Sequence, residues 1–220
     1  MNNLYTYRFE IFFFTLVITL FGSLLFPSAI FEATIFPIFL LLNIGAGIIL
    51  ISKKRKLMWF FILLFSIAIL NTGSSFINTT KIDTSFLIRL AVNSIFYATI
   101  TIEIIKQIWN ASLVNKNVII GLMNGYMCLG LLAFFMFSYI EFSNPDSFKG
   151  LLISGMEVST KIDSLIYYSF ITLLTIGYGE IIPVTPVAQK VAVLTGLIGQ
   201  FYIVIITAVV VEKYIQHLKH

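Results

Sequence analysis

The sequence predicts an all-α membrane protein with six transmembrane helices, plus a re-entrant half-helix and a glycine-containing loop before the last of them. Three observations lead there. Of the 220 residues, 59% are hydrophobic and only 11% charged, with a mean hydropathy of +0.98, whereas soluble domains carry about 25% charged residues. Six apolar runs approach the roughly 20 residues a helix needs to cross a bilayer. A shorter apolar run ends on Thr175-Ile176-Gly177-Tyr178-Gly179-Glu180, two glycines flanking a tyrosine in an otherwise very apolar chain.

The runs follow one another with short polar breaks. The first, 11–27, comes after Arg8 and Glu10 and has no small-residue cleavage site, so it reads as a retained helix rather than a signal peptide. The second spans 30–52 and ends at Lys53-Lys54-Arg55-Lys56. The third, 57–77, is weakened at its end by Asn71-Thr72-Gly73-Ser74-Ser75. The fourth covers 85–105, and the polar stretch Lys106–Asn117 links it to the fifth, 117–140. The half-helix, 161–174, is too short to cross and should enter the membrane and return; the last helix covers 187–213. Two domains result, four helices in 1–116 and a pore-forming hairpin in 117–220.

The charges set an orientation. Loops rich in Lys and Arg stay cytoplasmic, which places Lys53–Lys56 inside and, with six spans, both termini as well. Arg8, Lys106, Lys116, Lys213 and Lys219 then fall on the inner side, and Asp83, Glu141, Asp146, Glu157, Asp163 and Glu180 on or near the outer side. Trp59 and Trp109 land at the inner interface, where aromatic anchors are favoured.

A net charge of +4 and a pI near 9.1 raise the question of nucleic acid, but the cations sit in short loops between apolar runs and no nucleic-acid motif is present. The single cysteine, Cys128, lies in an apolar run and reads as a small buried hydrophobe. His217 and His220 stand alone in a polar tail and do not make a metal site. No phosphate-cradling loop, nucleophile–base pair or carboxylate pair is present, so neither an enzyme nor a cofactor is expected. Ser159 or Thr160 is expected to cap the half-helix, with Asp163 near its positive end.

The glycine motif carries the chemistry. Glycine adopts backbone conformations that a Cβ forbids, so alternating such positions with ordinary residues lets successive carbonyls point the same way. Rings of carbonyls from four copies of such a loop replace an ion's hydration shell. Non-helical backbone at membrane depth survives only where protein buries it or where it lines a wet cavity, and one loop per chain implies a tetrameric pore.

On these residues, 117–213 resembles the pore module of potassium channels. The whole chain resembles a six-helix, prokaryotic-type member of that superfamily with a voltage-sensor-like first domain. Thr175-Ile176-Gly177-Tyr178-Gly179-Glu180 matches the filter signature, with Glu180 where Asp is more usual; Tyr167-Tyr168 stands in place of the aromatic pair behind the filter. Ile181-Ile182-Pro183-Val184-Thr185 resembles the family's outer segment, and Lys190 its basic residue at the start of the inner helix. The resemblance implies a selectivity filter of Thr175, Ile176, Gly177, Tyr178 and Gly179. K+ would be coordinated by the carbonyls of Thr175, Ile176, Gly177 and Tyr178 and by the Thr175 hydroxyl. Glu180 would stand at the outer mouth, and Tyr167 and Tyr168 would support the filter beside the Tyr178 ring. Gly196 and Gly199 would be the gating hinge of the inner helix, and Thr207 would face the cavity. It further implies a homotetramer among membrane lipids, in a bacterial plasma membrane.

The fourth run lacks the arginine stripe of a voltage sensor: only Arg89 lies near one end and Glu103 and Lys106 near the other, so little voltage gating is expected. Glu103 is expected to pair with Lys106 at the surface. Gly121 and Gly125 form a small-xxx-small pair suited to close helix packing. The stimulus that opens the pore is left open by the sequence, among pH, lipid, tension, voltage at the filter, a regulatory ligand or a partner subunit. Competing readings are a cation channel of relaxed selectivity, a potassium transporter subunit and a non-conducting membrane scaffold.

Overall fold

Long apolar runs fold as helices in a membrane because the backbone must satisfy its own hydrogen bonds there. The computed structural model describes residues 5–26, 31–77, 84–111, 114–151 and 158–218, and these are overwhelmingly helical. Helix α1 is Arg8–Phe21, extended by a 3-10 turn at Gly22–Leu24. Helix α2 is Phe36–Ile51, entered through a π turn at Phe31–Ile35, with Pro37 in its first turn where no hydrogen-bonding N–H is needed. Helix α3 is Arg55–Ile77 and α4 is Thr84–Trp109. Helix α5 is Lys116–Ser143, started by Asn115, whose side chain accepts a hydrogen bond from the Val118 N–H at 3.1 Å. A two-residue strand β1 (Phe148–Lys149), helix α6 (Val158–Leu173), a second strand β2 (Ile182–Pro183) and helix α7 (Pro186–Leu218) complete the order.

Among the described residues, three helices are long and apolar enough to cross a membrane: Phe86–Trp109, Lys116–Ser143 and Pro186–Glu212. Phe36–Ile51 is apolar but shorter. Helix α1 has 14 residues, about 21 Å of helix, less than the expected run of 11–27. The polar stretch Asn71–Ser75 does not end α3, which remains helical to Ile77. Helix α6 begins at Val158, so Ser159 and Thr160 lie inside it and do not cap it. The residues before it, 152–157, lie outside the described residues, as do Asp83, Lys219 and His220.

Helices α1, α2, α4 and α5 share one core. Tyr97 of α4 stacks on Phe135 of α5 at 5.5 Å, Phe96 meets Phe61 of α3 at 5.1 Å, and Phe36 of α2 meets Phe134 of α5 at 6.2 Å. Such aromatic pairs each add about 1 kcal/mol beyond the area they bury. The aromatic column joins α2, α3 and α4 to α5. A neutral hydrogen-bonded chain runs through it: the Tyr97 hydroxyl donates to Asn43 Oδ1 at 3.1 Å, and Asn43 Nδ2 donates to the Thr15 hydroxyl at 2.7 Å. Asn93, Tyr97 and Thr101, one turn apart on α4, are all buried. Cys128 is buried and free, as its apolar setting suggests.

One end of the bundle gathers three of the four ion pairs among the described residues. Glu103 is buried, only 7% exposed, and is held by Lys54 as well as by Lys106 at 3.8 Å. The expected Glu103–Lys106 surface pair is therefore a three-member bridge that ties the α2–α3 turn to α4. Lys116 reaches Glu10 at 3.4 Å, and Lys53 lies over the Tyr5 ring. The sequence grouped Lys53–Lys56, Arg8, Lys106 and Lys116 on one side, and the packing brings these cations to one end. Trp59 and Trp109 lie at this end too and are largely exposed.

Candidate functional site

The site is the segment between α6 and α7, together with the parts of α5 and α7 that hold it. Helix α6 docks on α5, with Tyr168 packed against Phe137 at 5.0 Å and against Phe148 of β1 at 5.3 Å. A helix leaves its last four carbonyls without intrahelical donors; in α6 all four find one. Phe170 O accepts from Leu174 N at 2.8 Å, Ile171 O from Ile176 N at 2.9 Å and Gly177 N at 3.3 Å, and Thr172 O from Thr175 N at 3.0 Å. Leu173 O accepts from the Tyr126 hydroxyl of α5 at 3.3 Å.

Beyond this end the backbone alternates. Thr175 (φ 57°), Gly177 (φ 57°) and Gly179 (φ 92°) are left-handed, with Ile176 and Tyr178 between them. Left-handed and right-handed residues in alternation turn successive carbonyls to one side of the strand. Gly177 and Gly179 adopt this geometry freely, but Thr175 is β-branched, for which a positive φ is a true outlier. Strain of this kind persists where surrounding structure holds it and clusters at functional sites. Residues 174–180 are all exposed, and the carbonyls of Thr175, Ile176, Gly177 and Tyr178 accept no hydrogen bond among the described residues. A row of four free carbonyls on one segment has the chemistry to offer oxygen ligands to a hard cation.

A brace holds the end of the loop next to α7. Strands β1 and β2 pair antiparallel, Phe148 opposite Pro183 and Lys149 opposite Ile182, and Val184 N donates to Ser147 O at 2.9 Å. Gly150 (φ 92°) approaches the Glu180 carbonyl so closely that a Cβ there would stand 1.9 Å from the oxygen. Glu141, at the end of α5, is 2% exposed. Its carboxylate accepts from Asp146 N at 3.3 Å, from Phe148 N at 3.2 Å and from Lys161 Nζ of α6 at 3.3 Å. One buried side chain thus joins α5, the β1 turn and α6. Glu141→Ala strands Lys161 and two N–H groups and is expected to lower unfolding stability by about 3 kcal/mol, at the lower edge of the range for a broken buried ion pair because Lys161 is partly exposed; a fall in thermal midpoint in detergent measures it.

The expected site residues separate. Tyr167 lies close to Glu180 and Tyr178, whereas Tyr168 packs toward α5 and β1, against Phe137 and Phe148. The Tyr178 ring is 73% exposed within one chain. Gly196 and Gly199 lie inside the unbroken α7, and Gly199 has a packing reason to be glycine: a Cβ would stand 2.2 Å from Leu173 O. At Gly196 the nearest such contact is an ordinary 3.8 Å. Thr207 is exposed on α7. Gly121 and Gly125 both serve close packing, against Phe9 and Ile108 in one case and against Tyr202 of α7 in the other. The Tyr202 hydroxyl donates to Leu122 O at 2.7 Å and fixes α7 to α5.

Tyr126, Glu141, Gly150 and Lys161 are the site residues that the sequence did not reveal. Glu141 carried a signal, an acidic residue closing an apolar run. Gly150 carried none, since its contact with Glu180 is set by strand pairing. Among the described residues no cluster of His, Cys, Asp or Glu could hold a metal ion by side chains.

Residues 126–216, from the middle of α5 nearly to the end of α7, match the model of a family described as ion channel. No curated protein and no solved structure matches the chain. Long apolar helices, a segment of free carbonyls and an ion-channel domain that contains both support a membrane protein that conducts ions passively.

Proposed function

We propose that four copies of this chain form a potassium-selective channel, with residues 175–180 of each lining one axis. The observation that carries the reading is the alternation of left-handed backbone at Thr175, Gly177 and Gly179 on a segment whose carbonyls are free. Such carbonyls cannot face lipid, where an unsatisfied polar group costs several kcal/mol. Around a four-fold axis they form square layers of oxygens that replace the water of a dehydrated K+. The Thr175 hydroxyl adds an inner ring, and Gly179 lets the strand turn outward. Adjacent ions repel, so each speeds the exit of the other.

The neighbouring copies also account for what one chain leaves bare. Only 17% of the span of α7 is buried within the chain, against 61% for α5, and α7 presents Val193, Leu197, Phe201 and Val204 outward. The exposed Tyr178 ring fits against the next subunit, with Tyr167 and Glu180 close by. Four copies of Glu180 raise the local cation concentration at the mouth. Helices α1–α4 act as a fixed flank in this reading, six spans in all with both termini cytoplasmic, in a bacterial plasma membrane. Between Arg89 and Glu103, α4 offers neutral hydrogen bonds where a sensor needs charge, so the open probability should depend little on voltage.

The test is a bilayer recording with purified protein under opposed potassium and sodium gradients. The reversal potential is expected to follow the potassium gradient and to ignore sodium. A reversal potential midway between the two would leave a cation channel of relaxed selectivity, and absence of current together with a monomeric state would remove the pore altogether.

A further inference from the structure

At the end of the bundle where α2 turns into α3, a cleft of about 520 Å³ is lined by Lys54, Arg55, Lys56, Leu57, Phe60 and Glu103. Its charge is unbalanced. Three cations share it with one carboxylate, and that carboxylate is already engaged by Lys54 and Lys106. Arg55 and Lys56 are exposed. The cleft therefore favours an anion, and Leu57 and Phe60 offer that anion an apolar neighbour. The outward face of α3 continues the apolar wall: Trp59, Leu63 and Leu70 are 60%, 58% and 74% exposed, and their spacing of four and seven residues puts them on one side of the helix. A free phosphate would use the cations and leave this wall unused. A phospholipid uses both, and in the six-span reading proposed above, on which this placement rests, the α2–α3 turn stands at headgroup depth.

We propose that this cleft binds the phosphate headgroup of an anionic phospholipid. Arg55 and Lys56 hold the phosphate, and the acyl chains lie along Trp59, Leu63 and Leu70. Lys54 both lines the cleft and holds Glu103, so the phosphate competes with Glu103 for it and the bridge between the α2–α3 turn and α4 responds to the lipid. A topology signal in the same loop needs positive charge but no cleft, and the experiment separates the two.

Trp59 immediately precedes Phe60 of the cleft on α3, and Trp109 is the one other tryptophan. In full-length Trp109→Phe protein in phosphatidylcholine vesicles, Trp59 fluorescence reports nearby brominated lipid. Brominated phosphatidylglycerol is expected to quench saturably, at mole fractions where brominated phosphatidylcholine quenches only in proportion to its share. Arg55→Gln and Lys56→Gln should each weaken that preference about fivefold, the effect of one cation near an anionic surface. Lys149→Gln, an exposed cation removed from β1 on the turn beyond α5, should leave it unchanged. Equal quenching by the two lipids, or a preference that survives both cleft variants, overturns the site. Equal loss in Lys149→Gln reduces it to general charge attraction, and displacement by millimolar inorganic phosphate makes it a free-anion site; either outcome also overturns the proposal. The readout involves no ion flux, so its failure is distinguishable from failure of the channel reading.

Discussion

Gly177→Ala is expected to abolish potassium flux while the subunit still folds. Gly177 has φ 57°, and a Cβ built there meets nothing within 4 Å. The substitution therefore creates no clash inside the chain; its cost is conformational. A residue with a Cβ in the left-handed region costs about 1–2 kcal/mol, and Thr175, two residues earlier, already bears a strain of the same kind. In the proposed tetramer four such residues stand around one axis, so relaxing the loop would relieve about 4–8 kcal/mol. The relaxed loop turns a carbonyl out of line and breaks a layer of oxygens. Flux into potassium-loaded liposomes should fall by more than about a hundredfold, because about 1.4 kcal/mol corresponds to each factor of ten. Circular dichroism and elution volume should match the parent. Flux within a few-fold of the parent would mean that Gly177 does not line the path.

The second large effect is expected at Gly199. A Cβ there would stand 2.2 Å from Leu173 O and 2.9 Å from Leu173 Cδ1. Leu173 ends α6, two residues before Thr175, and its carbonyl already accepts the Tyr126 hydroxyl. In Gly199→Ala either α7 or the base of the loop must move, and the Tyr126 bond and the Tyr202–Leu122 bond resist that movement. Overpacking of this kind costs about 1–3 kcal/mol, so a lower melting midpoint and at least a tenfold loss of flux are expected. Gly196→Ala is the control. Its Cβ meets Thr172 O at an ordinary 3.8 Å, and alanine is favoured over glycine inside a helix by about 1 kcal/mol. That variant should be slightly more stable and conduct normally. If these glycines act chiefly as a hinge, the pattern inverts: both variants are stable and both conduct poorly.

The two variants probe different layers of the site, and the sequence revealed those layers unequally. The left-handed positions were legible because two of the three are glycines at a spacing of two. The third, Thr175, was placed by its neighbours rather than by its own preference, since a β-branched residue avoids that conformation. The support was largely hidden. Tyr126, Glu141 and Lys161 meet across three separate stretches of chain, and residue spacing carries no information about such contacts. Tyr167 and Tyr168 looked equivalent in sequence, yet successive helix residues lie about 100° apart. One therefore lies beside Glu180 and Tyr178 while the other packs on Phe137. Glu103 was legible as half of an ion pair, but its principal partner, Lys54, lies in a different turn and was found only by packing.

By itself, the sequence determined that the protein is helical, that it is apolar enough to belong in lipid, roughly where its helices lie, and which loop carries two glycines at a spacing of two. Those properties depend on hydrophobicity along the chain, on backbone freedom at glycine and on the need for each helix to satisfy its own backbone, all of which are local. Only the tertiary structure decided which side chains brace the loop, that Gly199 is a point of contact within a continuous helix, and that a cationic cleft lies beside a buried carboxylate. Those depend on distances between residues far apart in the chain, and such distances exist only after the helices have packed.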